Sequence, residues 1–414
     1  MTSISEQVLR SLRQRTPGMG LTREFYADAD IFALDLEHIF YKDWLFVAHT
    51  AELQGAGSYL TLQIGAYPIL LARAGDNRIR AFINSCRHRG ARVCPQTAGT
   101  ASKLVCPYHQ WTYHLDGRLF AARDMSPGLD RSRLGLRPVH CETVAGYIFV
   151  CLAADAPDFG PTREHLEPYL RPHGLSEARV AFHATIIEEG NWKLVWENNR
   201  ECYHCASNHP ELARTFPDTP TVTSVSGAED DPKITEHWRR CESAQLASRF
   251  KLSADGQMRT ARMPLLEPAV SYTMNGQAAV KRPLSDSIPA DLNIGALLLF
   301  HYPTTWNHFL GDHAISFRVL PLGPTHTELT TKWLVHRDAV EGVDYDVKEL
   351  TQVWLATNAQ DQRIVHENQI GMNCPTYEPG PLSSASEGGV RQFIDWYCSR
   401  LEQRLPAAAL REAS

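Results

Sequence analysis

NSCRHRGARVCPQTAGTASKLVCPYHQWTY, residues 84–113, carries two short signatures, Cys86-x-His88 and Cys106-x2-His109, with 17 residues between them. Each places one thiol and one imidazole on a tight turn. The text around them consists of short β-rich runs, SYLTLQIG (58–65), YPILLARA (67–74), RAFINS (80–85) and YIFVCL (147–152), broken by turn signals at Gly75-Asp76-Asn77 and Asp116-Gly117. These runs predict a small all-β module that presents four donors on two adjacent loops. Zinc fits the donor types. The alternation also suits a two-iron, two-sulfide cluster in which one iron takes both thiolates and the other both imidazoles, an arrangement that raises the reduction potential.

Beyond the Pro-rich joint AADAPDFGPT (153–162) the pattern mixes α and β. VAFHATIIE (180–188) reads as a strand, and Asn191 as the N-cap of a following helix. LLLFHYPTTWNHFLG (297–311), AISFRVLPL (314–322) and TELTTKWLVH (327–336) read as further strands. A long helix is expected over 343–370, and a last one opened by Ser384 with Glu387 three residues on. Upstream, residues 22–44 read as a helix beside an aromatic segment. The fold class is therefore α+β: an all-β domain inserted into an α+β domain whose central antiparallel sheet is flanked by helices, in a helix-grip-like manner. The expected boundaries are 1–44, packing on the larger domain, then 45–155 and 156–414.

A second constellation lies in NWKLVWENNRECYHCASNHPEL (191–212), which contains Glu201-x2-His204-x4-His209. Two His and a carboxylate with open positions suit a non-haem ferrous centre. On an ideal helix His204 and His209 sit about 140° apart, so the helix must end or kink between them, and Asn208-His209-Pro210 is a plausible ending.

Composition bounds the rest. The 414 residues are 43% hydrophobic and 21% charged, with 41 Lys plus Arg against 47 Asp plus Glu. That is enough for a large core, and it excludes collagen-like, disordered and small disulfide-stapled classes. The charges are interspersed, so a nucleic-acid footprint is absent. MTSISEQVLRSLRQRT (1–16) lacks a signal-peptide apolar core, and IGALLLF (294–300) is too short to span a bilayer, so a cytoplasmic protein with no membrane partner is expected. Ten scattered cysteines in such a compartment make metal binding the better reading of a clustered pair.

The 86–109 stretch resembles the Rieske cluster motif, and the whole chain resembles the oxygenase alpha subunit of Rieske non-haem iron oxygenases. The resemblance implies Cys86 and Cys106 on one iron of a [2Fe-2S] cluster and His88 and His109 on the other, with Trp111 packed behind the second loop. Cys94 and Cys141 are left as spare thiols. It further implies a mononuclear Fe(II) held by His204, His209 and a carboxylate on a late helix. ATNAQDQRIVHENQIG (356–371) offers Asp361 for that place, while Asp344 and Asp346 lie at the helix start, where acids suit the dipole. Glu201 is implied as the bridge that takes electrons from His109 of a neighbouring subunit to His204, which requires an oligomer, by family precedent a homotrimer.

Glu at 201, where ring-dihydroxylating members carry Asp, together with ENNRECYHC (197–205), CRHRG (86–90), LVCPYHQWTYHLDGRL (104–119), TKWLVHRDAVEGVDYD (331–346) and the Pro-Gly-Pro after 378, looks like the branch that oxidises quaternary ammonium compounds. The implied activity is O2- and NAD(P)H-dependent N-demethylation of a betaine, stachydrine before glycine betaine. A flavin/iron–sulfur reductase feeds electrons, and formaldehyde leaves. Tyr203, Trp306 and Trp354 are candidate cage residues for the cation. The alternatives are an aromatic-acid hydroxylase of the same fold and a non-catalytic electron carrier.

Overall fold

The computed structural model describes residues 3–126, 128–217 and 227–405. The chain forms two compact units, an insert Phe40–Phe159 and a larger unit made of Met1–Ile39 with Gly160–Ser414.

The insert is all-β apart from short turns. Its strands are β1 (Leu45–His49), β2 (Ser58–Ile64), β3 (Tyr67–Arg73), β4 (Ile79–Ile83), β5 (Ala98–Thr100), β6 (Leu104–Val105), β7 (Thr112–Tyr113), β8 (Leu119–Ala121), β9 (Pro138–Val144) and β10 (Tyr147–Cys151). Seven pair antiparallel in the order β1-β10-β9-β4-β3-β2-β5, and β6-β7-β8 form a small second sheet. The two ends of the insert are tied together. Trp44 Nε1 donates to the Pro157 carbonyl at 2.8 Å and its ring meets Phe159 edge-on at 5.0 Å, which sets the limits a few residues outside 45–155. Gly117 is required in the β7–β8 turn: its φ is +86°, and a Cβ there would lie 2.4 Å from the Phe82 ring.

In the larger unit, β11 (Arg179–Glu188), β12 (Lys251–Leu252), β13 (Met258–Met263), β14 (Ala296–His301), β15 (Thr305–Phe309), β16 (Ala314–Gly323) and β17 (His326–Val335) form an antiparallel sheet in the order β11-β17-β16-β15-β14-β13-β12. β13 to β15 are buried along their whole length, as expected of strands covered on both faces, whereas the edge strand β11 alternates. Residues paired across strands share a face. Arg259, Phe300, Trp306, Phe317 and Thr331 stand in one such row, with Leu298 and His308 in the next. The helix Val347–Met372 covers that face, with Asn358 Nδ2 donating to Thr331 Oγ1 at 2.9 Å and Trp354 meeting Phe317 at 5.0 Å. The helix Trp192–Asn199 adds Trp196, edge-on to Trp306 at 5.0 Å.

Local chemistry sets the helix limits. Asn191 caps its helix through the Lys193 N–H, as expected, and Asp346 caps the long helix through the Lys348 and Glu349 N–H groups, so that helix starts after 346 rather than at 343. The expected Ser384 start is wrong. The Ser383 N–H donates to the Glu387 carboxylate at 2.5 Å and the Ser386 N–H to Ser383 Oγ at 3.1 Å, closing 383–387 on itself, and the last helix is Gly388–Arg404. Residues 22–44 break into helices Glu24–Ala27 and Ala29–Asp35 and a wide turn to Phe40, with Asp28 capping the second helix.

One buried charge pair joins three parts of the larger unit. Asp35 meets the Lys193 ammonium, accepts from Trp192 Nε1 at 3.0 Å and from the Tyr397 hydroxyl at 2.8 Å, and both charged side chains are fully buried. Such a pair is tolerated because every charge on it is hydrogen-bonded. Among the described residues no helix is long and apolar enough to cross a membrane.

His173 supplies a pH test. Burial first, and the Arg262 charge second, hold its imidazole down to about 3, below the roughly 6.5 of an unfolded histidine. The folded state therefore keeps it neutral while the unfolded state takes a proton, so its stabilisation is complete above about pH 6.5 and is lost as pH falls toward 3. Urea titrations of wild type and His173→Gln are expected to show a stability difference that shrinks by about 1.4 kcal/mol per pH unit from pH 6 to 4. A difference independent of pH contradicts this.

Candidate metal centres

The two tips of the insert are built alike. In the first, the Cys86 N–H donates to the Ala91 carbonyl at 2.8 Å and the Gly90 N–H to Cys86 at 2.9 Å. In the second, Cys106 donates to Trp111 at 2.9 Å and Gln110 to Cys106 at 3.0 Å. Each loop thus turns back on its cysteine. The residue four after it, Gly90 or Gln110, takes a positive φ of 81° or 58°. Cys86 and Cys106 are buried free thiols, and burial first raises the Cys106 thiol. His88 and His109 lie side by side with ring centroids 4.7 Å apart, and the buried Nδ1 of His88 has no hydrogen-bond partner.

Two thiols and two imidazoles converging from twin loops fit a two-iron cluster with split ligands. Trp111 stacks on His88, at 5.0 Å and 7°, and so supports the first loop's ligand from the second. Tyr113, which sequence reasoning passed over, accepts from the Arg87 N–H at 3.0 Å and lies 3.3 Å from Cys86 Sγ. Its hydroxyl hydrogen is left for the sulfur, a contact of the kind that tunes such clusters. Cys94 packs in the same buried cluster as Cys86 and Cys106, and burial pushes the Cys94 and Cys141 thiols up to about 11 and about 12.

In the larger unit the required break between His204 and His209 is present. The helix between them is only Cys205–Asn208, with His204 at its start and His209 at its end. His204 Nε2 and His209 Nε2 are 3.0 Å apart, and Asp361 Oδ1 from the long helix lies 3.4 Å and 3.0 Å from them. Three donors spaced about 3 Å apart are the corners of one octahedral face around an ion about 2.1 Å from each. The buried Asp361 Oδ1 makes no aligned hydrogen bond, so a cation is the partner its position calls for. Burial works to lower the His204 pKa, but Asp361 and Glu201 outweigh it and hold the imidazole up at about 9. The same negative surroundings attract a metal ion. Asp344 and Asp346 take no part: Asp344 accepts from the Val340 N–H and Asp346 caps the helix.

Around the three donors, each imidazole is oriented from behind. Glu201 Oε1 takes the His204 Nδ1 proton at 2.5 Å, and its other oxygen accepts from the backbone of Tyr203 and His204. His209 Nδ1 donates to Gln360 Oε1 at 2.8 Å, and Gln360 Nε2 donates to Glu211 at 2.7 Å. With Nδ1 engaged in this way, each imidazole turns its Nε2 toward Asp361. Gln360 stands beside Asp361 in sequence, yet nothing in the spacing singles it out. Asn198 Nδ2, 3.4 Å from His204 Nε2, was missed likewise.

The remaining candidates divide. Trp306 and Trp354 are buried within one aromatic cluster through Phe317, whereas Tyr203 is 71% exposed and does not join them. Cys202 and Cys205, which the sequence reading did not single out, are joined as a disulfide. The Cys205 N–H bonds the Cys202 carbonyl, and this turn sets their Cα atoms 4.9 Å apart.

The chain is similar to known proteins along most of its length. Residues 43–141 match the Rieske [2Fe-2S] domain, and residues 175–403 match the ring hydroxylating alpha subunit catalytic domain. The chain is 44% identical over 402 residues to the glycine betaine monooxygenase oxygenase subunit of Pseudomonas aeruginosa, covering 95% of this chain and 92% of that one. Its counterpart in Chromohalobacter salexigens is 45% identical over 413 residues, with 96% and 89% covered. A crystal structure of the quaternary ammonium Rieske monooxygenase CntA shares the fold, with a TM-score of 0.72 at 20% identity over 95% of this chain and 98% of that one.

Substitutions separate the two centres. His204→Ala and Asp361→Ala are expected to lose the mononuclear iron while keeping the cluster's visible absorption. Cys86→Ser is expected to lose that absorption. Iron analysis and absorption spectra read both, and a His204→Ala protein with full iron content contradicts the assignment.

Proposed function

Because the chain belongs to the alpha subunits of Rieske non-haem iron oxygenases, oxidoreductases that carry a [2Fe-2S] cluster and a mononuclear iron, we propose that it removes an N-methyl group from a betaine, using O2 and NAD(P)H. The observation that carries this reading is the near full-length likeness to glycine betaine monooxygenase oxygenase subunits, with both donor sets in place. It moves glycine betaine ahead of stachydrine as the substrate. In this reading the 45–155 insert accepts electrons from a separate flavin/iron–sulfur reductase, and 156–414 with the N-terminal segment 1–44 performs the oxidation.

His204, His209 and Asp361 would hold the iron, which would supply the O2 activation for hydroxylating an N-methyl group; the hydroxymethyl product would release formaldehyde and the demethylated amine. The chain's own residues do the rest. Glu201 and Gln360 fix the two imidazoles so that each presents a lone pair to the metal. Asp361 completes a set of only three protein donors, which would leave room beside the metal for O2 and substrate. Trp306 and Trp354 line the apolar side of the adjoining sheet face, where an aromatic wall suits a cation that offers no hydrogen-bond donor.

Glu201 also bridges between subunits. Its oxygens retain lone pairs beyond their present bonds, enough to accept from His109 of the partner subunit. Val105, Tyr108 and Phe120, 47%, 54% and 51% exposed around the cluster loops, form an apolar rim suited to such a contact in a homotrimer.

Formaldehyde release under O2 tests the reading. Iron-replete protein with a compatible reductase and NADH is given glycine betaine, stachydrine, carnitine, choline and one aromatic acid. Formaldehyde equal to NADH consumed, from glycine betaine first, is expected. Hydroxylation of the aromatic acid with no formaldehyde from any betaine contradicts it.

A further inference from the structure

Arg200 sits between the Trp192–Asn199 helix and the Glu201–His209 ligand segment and turns back into the sheet. It lines a cavity with Phe216, Arg259, Phe300, Trp306 and His308, on the same sheet face as the aromatic cluster. Both chain segments that flank the iron ligands wall this cavity. Arg200 lies just before Glu201. Phe216 follows His209 through two successive turns, in which the Ala213 N–H bonds His209 and the Phe216 N–H bonds Leu212, each at 2.9 Å.

The side chain of Arg200 is 4% exposed. Its Nε donates to the Tyr302 hydroxyl at 2.8 Å, and its guanidinium lies 4.1 Å over the Phe300 ring. Its Nη2 is buried with no hydrogen-bond partner. A second guanidinium, Arg259, lines the same cavity at 3% exposure. Burial first, and the Arg200 charge second, lower Arg259 to about 9, so the two cations repel one another there. Among the described residues that line the cavity no side chain is acidic. The buried Arg200, with an unmet donor and a second guanidinium beside it, makes a site that favours an anion.

We propose that Arg200 binds the substrate carboxylate, with Arg259 as the second positive charge of the same subsite. The proposal rests on the betaine reading and adds to it the group that separates a betaine from choline. A betaine has a carboxylate at one end and a methylated nitrogen at the other. With the carboxylate on Arg200, the cationic end would lie toward Phe216 and Trp306, which line the same cavity.

Calorimetric titration of the anaerobic holoenzyme with glycine betaine and with choline tests it, on wild type, Arg200→Gln and Arg200→Lys. Loss of a charge-assisted hydrogen bond is expected to weaken glycine betaine about 10- to 100-fold in Arg200→Gln, and to change choline less than about 3-fold. Arg200→Lys, which keeps the charge but loses the guanidinium fork, is expected to fall between. Cluster absorption and iron content confirm that each variant is intact, and if Arg200→Gln loses them, Arg200→Lys carries the comparison alone. Equal weakening of both ligands shows a structural role and overturns the proposal, as does unchanged betaine binding. A wild type that releases formaldehyde from glycine betaine while Arg200→Gln keeps its affinity refutes the anchor alone. A wild type that neither binds nor demethylates any betaine refutes the functional reading, and the anchor with it.

Discussion

Three electron-rich atoms, His204 Nε2, His209 Nε2 and Asp361 Oδ1, are held about 3 Å apart in a largely buried position. Without a metal ion the acids on either side hold a proton on the His204 imidazole, and that proton occupies the place a metal ion would take. The fold pins them there from three directions. Glu201 takes the Nδ1 proton of one imidazole and Gln360 that of the other, and the long helix that carries Asp361 is anchored to the sheet through Asn358 and Thr331. A metal ion would replace the proton at the centre, and the larger unit is the frame that makes the convergence possible.

The insert solves the companion problem with a repeated device. Two loops of the same length each fold back on a cysteine, turn at a positive-φ residue and present a histidine at the rim. Trp111 links them, because the tryptophan of the second loop stacks on the histidine of the first. With the two thiols buried and the two imidazoles half-exposed at the rim, a cluster held here would be reached from its histidine side.

Legibility in the sequence followed sequence distance. Cys86, His88, Cys106 and His109 lie within one short stretch whose spacing is itself the signal. His204 and His209 were readable for the same reason, and even the helix break between them followed from 3.6-residue geometry. Asp361 lies far along the chain, and only the family resemblance brought it to the histidines. Gln360, Tyr113, Arg200 and Arg259 stayed hidden because their roles depend on strand register and side-chain direction, which local pattern does not encode. Ser384 misled for a related reason. The capping pattern was present, but Glu387 bonds the backbone of Ser383, and the helix waits for Gly388. Tyr203, beside the ligands in sequence, faces outward because the turn that positions His204 sends its neighbour the other way.

In the proposed function Glu201 would join the two halves of the mechanism, orienting His204 while keeping lone pairs for a histidine of a partner subunit. Single turnover tests that link most directly. The cluster of wild type and of Glu201→Gln is reduced chemically, then mixed with glycine betaine and O2, while cluster absorption and formaldehyde are followed together. Wild type should reoxidise its cluster as formaldehyde forms, and Glu201→Gln, with its iron retained, should stay reduced and form little. A Glu201→Gln protein that reoxidises and demethylates at the wild-type rate would show that electrons do not pass through this carboxylate.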